Sequence, residues 1–337
     1  MNTTQFNEAN LPIELDLCIA IPTYNRQLKA SKLIKKILEY GKGYSFELLV
    51  ADNHSDNQLI IEESLSNSRA NYIRRRFNIG PTANIMRIFE ETEKSWLIII
   101  GDDDDIEVNF FSLIAKSIIQ VSSINGSNQV VLAMKYKSSL NFEHNEHVFD
   151  GLSSFLKFNS NTKMLGSTLL ISTWLFNRSV LTPYVRFSYL YSGLQMPHLI
   201  PILMALKEGI GVVSYSNSNP IRYCEPEDNS SWNAALTYSM MLATASVSSI
   251  FESKSEFRSF SLGVVGNGIK EVTAFLFRAR IFYGKHQYKH ILRLVGSLSL
   301  KHKLLQIIFP FIFYLIPGYL TSKSLNANAA SKSLQRM

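Results

Sequence analysis

The sequence predicts an α/β fold, a mixed, mainly parallel sheet flanked by helices and followed by a helical C-terminal extension. Three observations point there. The first hundred residues alternate short β-branched apolar runs with stretches of helical period, which is the rhythm of a sheet built from strand–helix–strand units. Each apolar run ends in a polar, turn-forming loop, where open α/β sheets gather their ligands. After Trp232 the pattern becomes helical and closes on an apolar tail with basic flanks.

The elements follow in order. Leu15 to Ile21 reads as the first strand. Gln27 to Tyr40 sets Leu28, Leu33, Ile34, Ile37 and Leu38 at helical spacing. Phe46 to Ala51 is a second strand, Gln58 to Ser66 a second helix, and Tyr72-Ile73 a short third strand. Pro81 to Glu93 forms a helix with Ile85, Ile88 and Phe89 on one face, with proline in the first-turn position that tolerates it. Trp96 to Ile100 is short and β-branched, so it reads as a buried strand, and Phe110 to Val121 as the next helix. From about 125 to 224 the pattern loosens. Gln129 to Tyr136, Thr168 to Phe176 and Val212 to Tyr215 read as strands, and His198 to Glu208 as a helix before Gly209. Residues 216–231 form a polar loop, and 325–337 are expected as a disordered tail.

Bulk properties narrow the class. A chain of 337 residues with 46% apolar and 12% aromatic content can bury one large core or two smaller ones. The formal net charge of +7 is unevenly placed, with Lys and Arg concentrated after about residue 253. That asymmetry suits an anionic surface such as lipid headgroups or a phosphorylated substrate. Nucleic acid is excluded as a partner, because the basic residues are interleaved with long aliphatic runs. Of the two cysteines, Cys18 lies in an apolar strand and reads as a buried free thiol, which with the absence of a basic-then-apolar leader predicts a cytoplasmic chain. The run Leu304 to Leu320 is broken by Pro310 and Pro317 and flanked by Lys301, Lys303 and Lys323. It suits either an interfacial helix on a membrane surface or a helix packed on protein, including a homodimer partner.

The chemistry sits at the strand ends. The most informative is Asp102-Asp103-Asp104-Asp105, behind Gly101 at the end of a buried strand. Like charges this close repel, and are tolerated where solvent or a cation offsets the repulsion. The first strand exits into Pro22-Thr23-Tyr24-Asn25-Arg26 and the second into Asp52-Asn53-His54-Ser55-Asp56. A carboxylate at such a point can accept hydrogen bonds from a nucleobase edge or a ribose, while Asp56 or Ser55 could equally cap the next helix. Arg74, Arg75 and Arg76 precede Asn78-Ile79-Gly80-Pro81 and Asn84. They could clamp a diphosphate or alternate around a solvated strand. The cluster Glu143-His144-Asn145-Glu146-His147 has metal-binding residue types without a helix to align them.

In this order and spacing the four loops P-T-Y-N-R, A-D-N-H-S-D, N-I-G-P-T-A-N and G-D-D-D-D resemble the GT-A glycosyltransferases of family 2, over roughly residues 14 to 235. The resemblance implies a nucleotide-diphosphate sugar donor and a divalent metal, Mn²⁺ or Mg²⁺. Pro22, Thr23 and Tyr24 would line the base, Asp52 would bond it, and Asn78 and Gly80 would shape the pocket wall. Asp102 would face ribose or metal, Asp104 would ligate the metal, and Asp103 would lie on the nucleotide-sugar side; Asp105 has no assigned part. A hard dication held by one or two carboxylates would stabilise the charge growing on the departing diphosphate.

The acceptor side departs from the family pattern. The usual Glu-Asp pair that opens a helix and supplies the base is replaced by Pro197-His198. Histidine can serve as that base near neutral pH, or it can simply cap and pack. Glu225, Glu227 and Asp228 are further candidates. Thr173 and Trp174 would contact donor sugar or acceptor unless they belong to a core strand, and Trp232 is a further candidate.

The expectation is therefore an inverting transfer to a lipid-linked glycan of an O-antigen or capsule type, by an enzyme peripheral on the inner face of the plasma membrane. Residues 1–235 would form the catalytic domain, and 236–324 a helical extension with its membrane-association segment at 301–323. The alternatives are a non-catalytic nucleotide- or glycan-binding partner on the same fold, and a nucleotidyltransferase, which would want a Gly-rich phosphate loop near the N-terminus.

Overall fold

Apolar runs too continuous for a half-exposed strand build the centre of the sheet. The structure, a computed structural model, describes residues 12–57, 70–122, 130–134, 146–149, 151–162, 170–190, 197–209, 212–216, 220–222 and 250–265. Strand β1, Ile13–Thr23, has Leu17 through Ile21 wholly buried. It pairs in parallel with β2, Tyr44–Asp52, and on its other side with β4, Trp96–Ile99. A strand covered on both edges and both faces needs that near-unbroken aliphatic run. Strand β3, Ala70–Arg74, adds in parallel outside β2.

The other half of the sheet is mixed. Strand β8, Trp174–Asn177, runs antiparallel to β4 and to β6, Val130–Met134. With β7 (Glu146–Phe149) and β9 (Val212–Ser216) the order is β3-β2-β1-β4-β8-β6-β9-β7. The chain thus travels outward from β1 to β3 and then returns to β1's opposite edge as β4. That reversal opens a crevice at the carboxyl ends of β1 and β4, where ligands of open α/β sheets bind.

Helix α1, Gln27–Tyr40, matches its expected limits and buries Ala30, Leu33, Ile34 and Ile37. Its phase differs from the expected one, because Leu28 is 88% exposed and Ala30 takes the core position one turn before Leu33. Helix α2, Pro81–Glu91, opens behind Gly80, whose φ of 83° falls in the left-handed region that favours glycine. It buries Met86, Ile88 and Phe89. Helix α3 is Phe110–Ser122, and its Phe111 ring lies 4.8 Å from Phe46 and 5.2 Å from Tyr44, centroid to centroid. Cys18 is a buried free thiol, pushed up to about 12 chiefly by burial, and so stays protonated and inert.

The chain divides into two compact units that interleave in sequence. The first comprises Met1–His147, Ile171–Thr182 and Ser214–Cys224, and the second Val148–Leu170, Pro183–Val213 and Glu225–Met337. In the second unit, α4 (Leu152–Thr162) packs on α7 (Lys254–Val265), and Ser153 Oγ donates to Glu256 at 2.7 Å. Helix α5, Arg178–Leu190, carries Pro183 in its interior, and α6 is Leu199–Lys207. Tyr184 of α5 donates its hydroxyl to Glu208 just past α6, at 2.8 Å.

Some expectations fall outside the described residues: the helix Gln58–Ser66, Glu225, Glu227, Asp228, Trp232, most of 236–324 including 301–323, and the tail 325–337. Among the described residues no helix is long and apolar enough to cross a membrane.

Candidate active site at the strand ends

Parallel register lays the first two loops side by side. Thr23 pairs with Asp52, and Asp52 with Arg74, at the ends of β1, β2 and β3. The turn residues Asn25 (φ 55°) and His54 (φ 67°) both adopt left-handed backbone, which reverses the chain sharply after each strand. The two turns are stitched together. Asn25 N–H donates to Ser55 Oγ at 2.9 Å, its side-chain amide donates to Asp56 at 3.0 Å, and Asp56 N–H donates back to Asn25 Oδ1 at 2.8 Å.

Asp52 is wholly buried and both of its oxygens are engaged. Ser55 donates its N–H (2.9 Å) and its hydroxyl (2.6 Å) to Oδ1, while Tyr72 OH donates to Oδ2 at 2.6 Å and Arg74 Nε lies 3.7 Å from it. The expected base-bonding carboxylate is thus the hub of its own loop. The three arginines divide the same way. Arg74 donates to Ser55 O at 2.9 Å, whereas Arg75, 8% exposed, turns inward to Asn84 and to a bidentate pair with Glu91. Neither the diphosphate clamp nor the solvated strand describes Arg75.

Asn78 and Gly80 belong to a laced loop. Asn53 donates through its amide to Asn78 Oδ1 at 2.8 Å and accepts from Ile79 N–H at 3.0 Å, and Gly80 N–H donates to Asn78 Oδ1 at 2.9 Å. Asn84 completes the lacing, donating to Ala51 O at 2.9 Å. The N-x-G-x-x-x-N spacing therefore anchors the start of α2 to the end of β2.

The aspartates beyond β4 are arranged differently. The turn curls back on Gly101, where a Cβ would sit 3.1 Å from carboxylate oxygens of both Asp103 and Asp104. Asp104 N–H donates to Gly101 O at 3.0 Å. Thr23 Oγ1 donates to Asp102 Oδ2 at 2.7 Å, and Arg26 Nη1 bridges Asp102 Oδ1 (3.0 Å) and Asp103 Oδ2 (2.8 Å). Continuing the antiparallel β4–β8 register brings Ser172 opposite Gly101, and Ser172 Oγ accepts from Gly101 N–H at 3.2 Å while donating to Asp104.

Asp105 parts from its neighbours. It opens the two-residue strand β5, Asp105–Ile106, which pairs antiparallel with β10, Ile221–Arg222. Lys36 of α1 pairs with its Oδ1 at 2.5 Å, and Arg222 lies 3.4 Å from its Oδ2.

The electrostatics follow these partners. Burial pushes Asp102 above the ordinary carboxylate range despite its bonds to Thr23 and Arg26. Burial, reinforced by the charges of Asp103 and Asp102, pushes Asp104 up to about 7 against the hydrogen bond from Ser172. Asp105 moves the other way, since the bond from Lys36 and the charge of Arg222 outweigh its burial. Asp104 and Asp105, adjacent and shifted in opposite directions, mark a boundary: burial dominates at Asp104, and Asp105 is an ion-paired pin.

Hard oxygen donors held in a tight, partly desolvated turn fit a small divalent cation that completes its shell with water and phosphate oxygens. They are not a closed cage: among the described residues no group of three or more His, Cys, Asp or Glu is placed to hold a metal ion. The second-metal cluster at Glu143 to His147 is half outside the described residues, and its described part, Glu146 and His147, begins strand β7.

The remaining expected residues lie as follows. Pro22 and Thr23 end β1, and Tyr24 is 44% exposed at the loop tip. Thr173 ends a single 3₁₀ turn, Ile171–Thr173, and Trp174 is wholly buried, stacked on Phe176 at 6.2 Å. Trp174 is thus a core residue and presents no surface to a sugar; the residue that meets the aspartates is its near neighbour Ser172. His198 belongs to the second unit, 2% exposed and just ahead of α6, with no side-chain cap on that helix. Sequence reasoning missed Lys36 and Arg222, and reached Arg26 and Ser172 without giving either a role. Those two carried a signal, Arg26 as the basic end of P-T-Y-N-R and Ser172 as part of the strand-like run that leads into Thr173 and Trp174.

Comparison with known proteins bears on the fold that carries these loops. Residues 18–174 match the model for Glycosyl transferase family 2. Among solved structures, S. aureus TarS 1-349 in complex with UDP-GlcNAc superposes with a TM-score of 0.58 at 15% identity, covering 86% of this chain and 84% of that one. The complex of TarS 1-349 with UDP gives 0.52 at 16% identity, over 86% of each chain. A longer TarS structure gives 0.54 at 14% identity, and 50% of that chain is covered. At such identities the likeness shows the fold. No curated protein matches this chain.

Proposed function

We propose that this chain, whose residues 18–174 match the model for Glycosyl transferase family 2 and whose fold is GT-A, is a glycosyltransferase that moves a sugar from a nucleotide-diphosphate donor to a lipid-linked glycan, with inversion and with the help of a divalent metal. The observation that carries this reading is the aspartate turn. Three carboxylates, two of them pushed above the ordinary range by burial, lie at the switch point of the sheet, beside the loop that follows β1. The donor class is supported by the related TarS structure, which was solved with UDP-GlcNAc.

Asp102 and Asp104 would hold the Mn²⁺ or Mg²⁺ ion, which when bound neutralises the charge growing on the departing diphosphate. Thr23 and Ser172 orient those two carboxylates by donating to them. Asp103 faces Arg26 and would lie on the nucleotide-sugar side. Tyr24, exposed at the loop tip, and Pro22 would line the base, with Asn78 and Gly80 fixing the opposite wall. Asp52 would bond the base through Oδ2, which accepts from Tyr72 and keeps a second lone pair, while Oδ1 holds the loop through Ser55.

His198 is retained as the group that takes the acceptor's hydroxyl proton. General-base loss costs about 10²- to 10⁴-fold in rate, so His198→Ala should lose turnover on that scale with donor binding intact. A parallel fall in thermal stability without that rate loss would make it a packing residue.

The acceptor is read as a growing surface polysaccharide of the O-antigen or capsule type, and the enzyme as cytoplasmic and peripheral on the inner face of the plasma membrane. Support comes from the excess of Lys and Arg after residue 253 and the lysines flanking Leu304 to Leu320. Residues 1–235 would carry catalysis and the extension 236–324 would carry attachment or a homodimer contact. Flotation of the full chain with vesicles tests this: binding to anionic but not neutral vesicles is expected, and none to either removes the membrane reading.

The assay that tests the function incubates purified protein with Mn²⁺ and a panel of nucleotide sugars, with and without lipid-linked acceptor, and follows nucleotide release. Release that requires metal and acceptor is expected. Binding without turnover across the panel would overturn it.

A further inference from the structure

We infer that Arg26 makes metal binding conditional on the nucleotide: its guanidinium holds the aspartate turn's affinity for a bare cation low, and the donor's diphosphate relieves that restraint. The inference rests on the metal reading of the turn given above.

The geometry is specific. One guanidinium nitrogen, Nη1, reaches both Asp102 Oδ1 at 3.0 Å and Asp103 Oδ2 at 2.8 Å. Asp102 is 5% exposed, so this contact lies in a region where charges are weakly screened. Burial pulls the guanidinium toward neutrality, yet Asp102 and Asp103 raise it above its ordinary value, so the arginine is held charged by its partners. Arg26 also stands just before α1 and makes no side-chain cap bond to that helix. A divalent cation approaching Asp102 therefore meets a positive charge already paired with that carboxylate, and the two repel. A diphosphate changes the balance, because its oxygens match a guanidinium as well as a carboxylate does and bring negative charge to the cation. Arg26 can then change partners instead of being stranded, and the free energy of its lost ion pair is recovered on phosphate. Lys36 and Arg222 do not share this part, since both are engaged by Asp105 on the far side of the turn.

The consequence is thermodynamic coupling: metal and nucleotide each raise the other's affinity by the same factor, and Arg26 sets part of that factor. The test titrates Mn²⁺ into the full-length protein by electron paramagnetic resonance, with and without UDP. For Arg26→Gln the account expects Mn²⁺ alone to bind about tenfold more tightly than in wild type, the order of effect of removing one nearby like charge, and the enhancement by UDP to shrink about tenfold in turn. Arg26→Lys, which keeps the charge, should stay near wild type. Because Arg26→Gln could disturb folding, wild-type protein supplies a second readout. Phenylglyoxal labelling of Arg26, followed by peptide mass spectrometry, should rise on adding saturating Mn²⁺ and fall again with UDP present. Equal or weaker Mn²⁺ binding in a folded Arg26→Gln protein, or labelling indifferent to Mn²⁺, overturns the inference. If neither wild type nor variant binds Mn²⁺ with or without UDP, the metal reading fails and takes the inference with it.

Discussion

Two carboxylate-bearing loops leave the same edge of the same parallel sheet and end in opposite electrostatic conditions. In the loop after β2, Asp52 is buried beneath three donated hydrogen bonds and a nearby guanidinium, so its charge is met from within. In the loop after β4, Asp102, Asp103 and Asp104 share, among the described residues, one bridging arginine and two hydroxyl donors. A finished network holds a wall in place, whereas a network short of positive charge is where a cation gains the most. Burial alone does not mark a ligand site; burial without enough partners does.

The largest effect should come from the under-compensated loop. Asp104→Ala is expected to cut metal-dependent turnover by at least about 10²-fold, the scale of losing a group that stabilises transition-state charge, with the melting temperature unchanged or raised because a strained buried charge is gone. Steady-state kinetics and a thermal melt, run together, check this. Retained turnover would place the cation elsewhere. The finished loop should behave in the reverse sense. Asp52→Asn puts an amide N–H₂ against donors and should cost about 2–3 kcal/mol of stability, the range for hydrogen bonds to a charged group, measured by urea unfolding. An unperturbed unfolding midpoint would mean that the Asp52 network is dispensable.

These contrasts were only partly legible in the sequence. The strands β1, β2 and β4 announce themselves through β-branched runs, and α1 through its 3.6-residue period, because a central sheet and an amphipathic helix impose strong patterns. The four loops could be found because each sits directly behind such a run. Helix α5 was missed because Pro183 lies inside it and reads as a breaker. The β5–β10 pair is two residues long on each side, too short for any periodicity. The family resemblance set Asp104 apart from Asp105, but the partners that make the difference could not be read, since Ser172 and Lys36 lie 68 and 69 residues from them, respectively. Asp52 resembles a binding carboxylate in sequence and is a structural hub in space; nothing local distinguishes the two.

pH sharpens the comparison further. Asp104 is raised to about 7 by burial and its acidic neighbours. A raised carboxylate contributes stability while protonated, so that contribution is in place below the ordinary carboxylate range and is lost as pH rises through about 7. Without metal, the protein should therefore lose thermal stability between about pH 4 and 7 from this group, while Mn²⁺, which needs the ionised form, should reverse the trend. Apparent Mn²⁺ affinity should fall about tenfold per pH unit below about pH 7, as expected for one competing proton, and calorimetry in buffers of different ionisation enthalpy should detect proton release. A pH-independent affinity would mean that Asp104 does not bind the ion.

The smallest effect belongs to the paired end of the turn. Asp105 is lowered by Lys36 and Arg222, so its stabilising contribution is present above the ordinary carboxylate range and lost only in stronger acid. Asp105→Asn should cost about 1 kcal/mol or less, as half-exposed ion pairs do, with Mn²⁺ binding preserved. Loss of Mn²⁺ binding would move the cation site one residue along the turn.

The most direct test of the contrast between the loops is a Mn²⁺ titration in the presence of UDP, monitored by electron paramagnetic resonance, on wild type, Asp104→Ala and Asp52→Asn. The account predicts one bound ion in wild type and in folded Asp52→Asn, and none in Asp104→Ala. A bound ion that survives in Asp104→Ala with wild-type affinity would contradict it.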